Sequence, residues 1–188
     1  MNLKIKIENI KKKYSLGIIG GGQLALMIAE AARNRGLKVC VQTKSTADPA
    51  VTKADHVIEA DPLRVKGNKV LIEECEKIIF ENEWIKIEKL NSLETKNMFV
   101  PSLEAIKPLV DRISQKKLLE RMNIPTPKWL SIKEFRNLND EEIADWKFPL
   151  MLKSYKGGYD GKGNKKINSK EELDLFLTKN NLDEWLLE

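Results

Sequence analysis

Three lysines and four glycines crowd into one stretch, Lys153-Ser154-Tyr155-Lys156-Gly157-Gly158-Tyr159-Asp160-Gly161-Lys162-Gly163-Asn164. The apolar run Phe148-Pro149-Leu150-Met151-Leu152 leads straight into it. That order reads as a buried strand with a lysine at its end, followed by a glycine-rich loop. Glycines let backbone N–H groups turn toward an anion with no Cβ in the way. Lysines around the same loop add positive charge, and the combination suits a triphosphate. It is not a P-loop, because no Gly-Lys-Ser/Thr opens a helix after the strand. A solvated hairpin carrying lysines for solubility would need the glycines, but it has no use for Tyr159-Asp160 at its tip. Lys153 closes a core strand, where an unpaired ammonium is costly, so pairing with an anionic ligand is expected for it.

A second glycine turn lies near the start, Gly20-Gly21-Gly22-Gln23-Leu24-Ala25. It matches G-x-G-x-x-A, the dinucleotide fingerprint. That fingerprint also calls for an acid at the end of the next strand, to hold a ribose. Gln42-Thr43-Lys44 stands there instead, which argues against nicotinamide or flavin binding and against a dehydrogenase. Two readings of the turn remain. Its N–H groups, at a helix start, can face a phosphate; or the turn is purely structural. Phe80-Glu81-Asn82 ends another sheet strand, and ligands gather at the carboxyl ends of parallel strands. Asn82 as a helix N-cap is the plainer alternative. Arg112 sits on a helix face, where it is solvated or ion-paired unless it meets a ligand. His56 is the only histidine and by itself supplies no metal site.

The elements that must hold these residues follow from pattern. Leu16 to Gly20 reads as a short buried strand, Gln23 to Arg35 as a helix closed by Gly36, and Leu37 to Gln42 as the next strand. Such a β-α-β unit implies a parallel sheet with a right-handed crossover. His56 to Ile58, Lys77 to Phe80 and Phe99 to Pro101 supply further strands, with a helix over Leu71 to Glu76. A boundary is expected near Pro101. Pro108 to Met122 reads as a helix, and Ile124-Pro125-Thr126-Pro127 as an extended linker. The rest reads as strand, helix, strand (Phe148 to Ser154), glycine loop, strand (Gly163 to Ile167), helix (Ser169 to Thr178) and strand (Glu184 to Glu188). Ser169-Lys170-Glu171-Glu172 fits a capping box.

Three segments together carry a resemblance. They are Leu16-Gly17-Ile18-Ile19-Gly20-Gly21-Gly22-Gln23-Leu24; then Pro101-Ser102, Asp111-Arg112-Ile113-Ser114-Gln115-Lys116 and Ile124-Pro125-Thr126-Pro127; then Lys-x5-Tyr-Asp-Gly-x-Gly from Lys153 to Gly163. In order and spacing they resemble the 5-(carboxyamino)imidazole ribonucleotide synthases. These are the ATP-dependent subunits of phosphoribosylaminoimidazole carboxylase, within the ATP-grasp superfamily. The similarity runs from about Leu16 to the last residue. It implies an α/β fold: a Rossmann-like pre-ATP-grasp domain on a parallel sheet, then an incomplete α+β ATP-grasp domain. The expected division is an extension over 1–15, the first domain over 16–101 and the second over 102–188.

The resemblance also assigns roles. Arg112, Lys153, the loop Gly158, Tyr159, Asp160, Gly161, Lys162, Gly163 and Asn164, and Glu188 at the start of the adenine hinge would bind ATP. Tyr159 and Asp160 would meet the aminoimidazole as catalytic residues, Asp160 orienting the amine. Gly21, Gly22 and Gln23 would face the phosphate of the substrate ribonucleotide, and Glu81 would join them. Gln23-Leu24-Ala25-Leu26-Met27 departs from the family's Gln-Leu-Gly-Arg-Met, so any contact made by that arginine is missing. The implied reaction converts ATP and bicarbonate to carboxyphosphate. Carboxyphosphate or CO₂ then meets the amine of 5-aminoimidazole ribonucleotide, a step of purine biosynthesis, and ADP and phosphate leave. The Mg²⁺ ligands are expected beyond residue 188, so the chain reads as truncated and inactive alone, its full-length relatives as homodimers. Two other readings stay open. One is a non-catalytic nucleotide-binding or assembly module. The other is a different ATP-grasp carboxylate–amine ligase, which Tyr159-Asp160 argues against.

Composition sets the outer bounds. The 188 residues are 41% hydrophobic and 32% charged, as in ordinary globular proteins. No apolar run approaches the roughly 20 residues of a membrane helix, and no signal-peptide block opens the chain. A net charge of +5 comes from scattered lysines with acids between them, so neither a nucleic-acid partner nor a membrane is expected. Cys40 and Cys75 fall in expected core elements and read as reduced, buried and inert, which suits a cytoplasmic protein.

Overall fold

The computed structural model describes residues 12–93, 97–156, 163–179 and 184–188. The chain divides into two units, Met1–Lys107 and Pro108–Glu188. Among the described residues of the first unit, five strands form one sheet. They are β1 (Tyr14–Ile19), β2 (Val39–Thr43), β3 (His56–Glu59), β4 (Cys75–Phe80) and β5 (Phe99–Val100). Their order is β3-β2-β1-β4-β5, with every neighbouring pair parallel.

Parallel strands need crossovers, and two long helices supply them on opposite faces. Helix α1 (Gln23–Arg33) turns a small face, Ala25, Ala29 and Ala32, onto Ile18, Val39 and Val41. Helix α2 (Val65–Glu74) covers the other face. There Gly17 admits the Leu71 side chain so closely that a Cβ would lie 2.8 Å from Leu71 Cγ and 2.9 Å from Cys75 Sγ. Alternation along β2 sorts the rest: Val39 and Val41 face α1, while the buried Gln42 reaches Asn68 of α2 at 3.0 Å. Cys40 and Cys75 are free and fully buried. A hydrogen bond between them, and then burial, push the Cys40 thiol far above its ordinary range.

Some boundaries differ from the expected ones. Helix α2 starts at Val65, six residues before the expected Leu71, and Cys75 and Glu76 belong to β4. Two short helices, α3 (Ile87–Asn91) and α4 (Leu103–Ile106), follow in the first unit. Helix α4 buries Leu103 and Ile106 and neighbours α3, within the first unit, which runs to Lys107.

In the second unit the expected helix from Pro108 is shorter. Asp111 is extended, and its carboxylate accepts from the Ser114 N–H at 2.8 Å, so α5 begins at Arg112 (Arg112–Arg121). Strand β6 (Leu130–Ser131) leads into α6 (Ile132–Phe135) and α7 (Asp140–Ala144), where one helix was expected. Each starts with a capping box, Ser131 with Glu134 and Asn139 with Glu142. Strands β7 (Leu150–Ser154) and β8 (Asn164–Ile167), helix α8 (Lys170–Lys179) and strand β9 (Trp185–Leu187) complete the order. At the start of α8 the Ser169 hydroxyl accepts from Glu172 N–H at 3.3 Å, but the Glu172 carboxylate reaches Asn168 N–H, one residue earlier than a capping box requires. The sheet order is β6-β9-β7-β8 and all its pairs are antiparallel. Its core gathers Ile132, Phe135, Trp146, Leu152, Ile167 and Leu187, with Phe135 and Trp146 edge to face at 5.6 Å.

The packing over Gly17 gives a direct test. Gly17→Ala inserts a methyl against Leu71 and Cys75 in the sheet interior. Overpacking of that kind costs about 1–3 kcal/mol. The denaturation midpoint should fall accordingly, and an unchanged midpoint would refute the close approach.

Candidate functional site

The parallel sheet switches direction at β1, whose neighbours β2 and β4 run out to opposite edges. Such a switch point opens a crevice at the carboxyl ends of the strands. A cleft of about 330 Å³ lies there, lined by Gly20–Gly22 after β1, Thr43 and Lys44 after β2, Asp61 after β3, and Glu81 and Asn82 after β4. The chain places three of the expected substrate residues, Gly21, Gly22 and Glu81, in this one cleft. Gln23, the first residue of α1, is exposed and is not among the lining residues.

Glu81 is pressed against the glycine turn. Its carboxylate accepts from the Gly22 N–H at 3.1 Å, and a Cβ on Gly20 would lie 2.5 Å from the Glu81 Cβ. Gly20 also holds φ +119°, which a side chain would strain. The Gly20 N–H is spent on Gln42 O at 2.9 Å. Of the turn residues read from sequence as able to face a phosphate, Gly22 gives its N–H to a protein carboxylate in this structure. Beside the turn, the buried Thr43 hydroxyl donates to the Asp48 carboxylate. Asn82 caps no helix; its side chain accepts from Trp84 N–H at 3.0 Å, two residues on. Asp61 is held below the ordinary carboxylate range, first by the Leu63 N–H and, against some burial, by Lys44 and Arg64.

Asp48 and Asp61 complete the cleft and were missed from sequence. Asp61 lies two residues after β3 and Glu81 one residue after β4, so both fall just past the carboxyl ends of strands, and that was the available signal. The wall carrying Asp61 is set from behind: Asn68 Nδ2 bonds both Gln42 Oε1 and Pro62 O, and Gln42 Nε2 bonds Asp61 O at 3.2 Å. Leu26, where the resembling family has arginine, packs half-buried against the core that the alanines of α1 share with β1 and β2. Apolar contact replaces charge there.

In the second unit the structure sets a protein carboxylate, Glu188, beside Lys153, where the sequence suggests an anionic ligand. Its carboxylate pairs with Lys153 through one oxygen and with Lys116 of α5 through the other. Lys116 also donates to the Thr126 hydroxyl, in the proline linker. Glu188 continues the sheet: its N–H and C=O bond Met151 at 2.9 and 2.7 Å. Burial alone would raise its carboxyl pKa; the hydrogen bonds and charges of the two lysines overcome that and hold it below its ordinary value. Lys116 was missed from sequence. It lies one helical turn after Arg112, and that i,i+4 spacing was the available signal.

Arg112 is half-buried, and its N–H donates to Tyr155 O at 3.0 Å, tying the start of α5 to the end of β7. Gly163 accepts from the Ser154 N–H at 2.8 Å, and Asn164 pairs with Lys153 in the ladder, so both close the hairpin on which Lys153 stands. Gly158, Tyr159, Asp160, Gly161 and Lys162 lie outside the described residues. Among the described residues no cluster of His, Cys, Asp or Glu is placed to hold a metal ion, and no helix is long and apolar enough to cross a membrane.

A nucleotide-type crevice on a parallel sheet, followed by an antiparallel unit with a lysine before a glycine loop, defines a class. It is the pairing of a pre-ATP-grasp domain with an ATP-grasp domain. The ribonucleotide synthetase preATP-grasp domain model matches residues 13–109, more than half of the chain, and the ATP-grasp domain model matches residues 117–188. The chain belongs to the ribonucleotide synthetase preATP-grasp family. Its relatives include the N5-carboxyaminoimidazole ribonucleotide synthase of Synechococcus elongatus, 39% identical over 86% of this chain and 41% of that protein. The synthase of the same name from Synechocystis is 36% identical over 94% of this chain and 44% of that protein. The crystal structure of N5-carboxyaminoimidazole synthetase from Staphylococcus aureus complexed with ADP superposes with a TM-score of 0.83 at 32% identity. That likeness covers 95% of this chain and 48% of the other. The chain thus spans less than half the length of these relatives.

The Glu188 geometry carries a pH dependence. A carboxyl with a depressed pKa stabilises the fold fully above its unfolded value, roughly 4.3, and the contribution is lost as pH falls through the folded value. Stability of the second unit should therefore drop on acidification below about pH 4. Glu188→Gln should flatten that acid limb in urea titrations run from pH 7 downward. Identical acid limbs in the two proteins would contradict the pairing.

Proposed function

We propose that this chain carries the ribonucleotide-binding domain and the first ATP-grasp lobe of an ATP-dependent carbon–nitrogen ligase. The ligase carboxylates 5-aminoimidazole ribonucleotide with bicarbonate and releases ADP and phosphate, in purine biosynthesis. The observation that carries the reading is Lys153. It stands at the end of β7, directly before the glycine loop, with its ammonium fixed from behind by Glu188. An ammonium so placed meets phosphate oxygens without reorganising. Names of relatives support the substrate: curated proteins at 39% and 36% identity are synthases of N5-carboxyaminoimidazole ribonucleotide.

The first-unit cleft suits the other reactant. Carboxylates accept hydrogen bonds and cannot donate them at neutral pH. Glu81, Asp48 and Asp61 therefore fit the ribose hydroxyls and amine of a ribonucleotide better than its phosphate, while Lys44, on the same cleft, fits the phosphate. Bound ATP would supply the phosphoryl group that activates bicarbonate. This chain's own part is to hold the nucleotide and to exclude water, with Arg112, Lys153 and the loop through Asn164 on the phosphates. Tyr159 and Asp160 are assigned to the aminoimidazole, Asp160 holding the amine by accepting its hydrogen bond. The basic groups here suit phosphate and not a metal, so Mg²⁺ coordination is assigned to none of these residues. A homodimer and a cytoplasmic location belong to the same reading.

Two substitutions test it. Lys153→Ala removes a charge-assisted bond worth about 1.5–3 kcal/mol, so ADP binding measured by calorimetry should weaken roughly ten- to hundredfold. Unchanged affinity would remove Lys153 from the nucleotide site. In a chain extended to the length of its relatives, Asp160→Asn should lower turnover with aminoimidazole ribonucleotide and leave the ATP constant nearly unchanged. The opposite pattern would assign Asp160 to the nucleotide.

A further inference from the structure

The buried lysine that the nucleotide reading does not use is Lys116. Its side chain is 11% exposed, that of Glu188 8% and that of Lys153 25%, so Lys153 is the open end of the group. Lys116 cannot serve a ligand from where it lies. Its ammonium is committed to the Glu188 carboxylate and the Thr126 hydroxyl. What it does contribute is charge. Lys153 and Glu188 alone would form a neutral pair, whose pull on an anion falls off faster with distance than that of a net charge. Adding Lys116 leaves two ammoniums against one carboxylate, a net charge of one. Because the group is mostly buried, solvent screens it less than it would a surface pair.

We infer that Lys116 is a positioning and charge-balancing residue: by neutralising Glu188 from behind, it frees the charge of Lys153 for a phosphate that Lys116 never touches. The inference rests on the proposed nucleotide role of Lys153. Glu188 then has a double task. It orients the Lys153 ammonium, and it would quench that ammonium if Lys116 were absent. Thr126 fixes Lys116 against the proline linker, which couples the charge of the site to that segment.

The test is a charge cycle on the 188-residue chain, with inorganic tripolyphosphate as the probe and the ¹⁵N shift of the Lys153 ammonium as the readout. Lys116→Met should weaken tripolyphosphate binding about tenfold, for the roughly 1.4 kcal/mol that one partly screened charge supplies. Lys116→Met with Glu188→Gln restores the net charge and should bring affinity back to within about threefold of wild type. Lys116→Arg, which keeps the charge, should bind as wild type does. Equal binding by Lys116→Met and wild type would overturn the inference. So would a double variant as weak as the single one, the pattern of a merely structural lysine. If Lys116→Met does not fold, Lys116→Gln, which keeps a donor toward Glu188 and Thr126 without the charge, decides: it should bind about tenfold more weakly than wild type, and equal binding overturns the inference. A wild-type chain whose Lys153 ammonium ignores tripolyphosphate would instead overturn the nucleotide reading itself.

Discussion

A carboxylate held against backbone organises the first unit. Glu81, at the end of β4, bonds the Gly22 N–H and lies where any side chain on Gly20 would have to go. That contact ties together the carboxyl ends of the two strands between which the sheet reverses direction. It requires glycine on one side and an acid on the other, and it fixes where α1 can begin. The cleft exists because those strand ends are locked at this spacing, while the loops after β2 and β3 form the remaining walls.

The same turn combines dinucleotide-like glycine spacing with a different set of neighbours. The glycine spacing is present, but the end of β2 carries Thr43, whose hydroxyl is bonded to Asp48. The acid nearest the turn comes from β4. A helix N-terminus attracts anions, and here the anion is built in. The crevice is lined at the turn by the Glu81 carboxylate, with Asp48 and Asp61 on its other walls.

The second unit solves a related problem with opposite signs. Burying a lysine at a strand end is unfavourable unless it is paired, and pairing it with one carboxylate would cancel its charge. Two lysines sharing Glu188 satisfy both demands. The arrangement draws on α5, the proline linker, β7 and the residue after β9, elements far apart in the chain. It gives the linker Ile124-Pro125-Thr126-Pro127 a polar anchor that its extended conformation alone does not imply.

Much of this protein was legible in local pattern. The G-G-G turn before an alanine-rich helix, the strand running into Lys153, and the Phe-Glu-Asn after a strand each report chemistry confined to a few neighbouring residues. Backbone sterics and alternation act at that range, so the parallel first sheet and strands β7, β8 and β9 could be placed to within a few residues. Helix starts were less legible, because Asp111 as an N-cap overrode an apparently continuous helix from Pro108. The partners of charges were not legible at all. Nothing near Lys153 in the chain points to Glu188, 35 residues on, or to Lys116, and nothing near Gly22 points to Glu81. Sequence alone determined that an ammonium and a glycine turn would stand at strand ends. Only the tertiary structure decided which carboxylates meet them, because side-chain electrostatics depends on distance in space, and that distance is set by which strands pair.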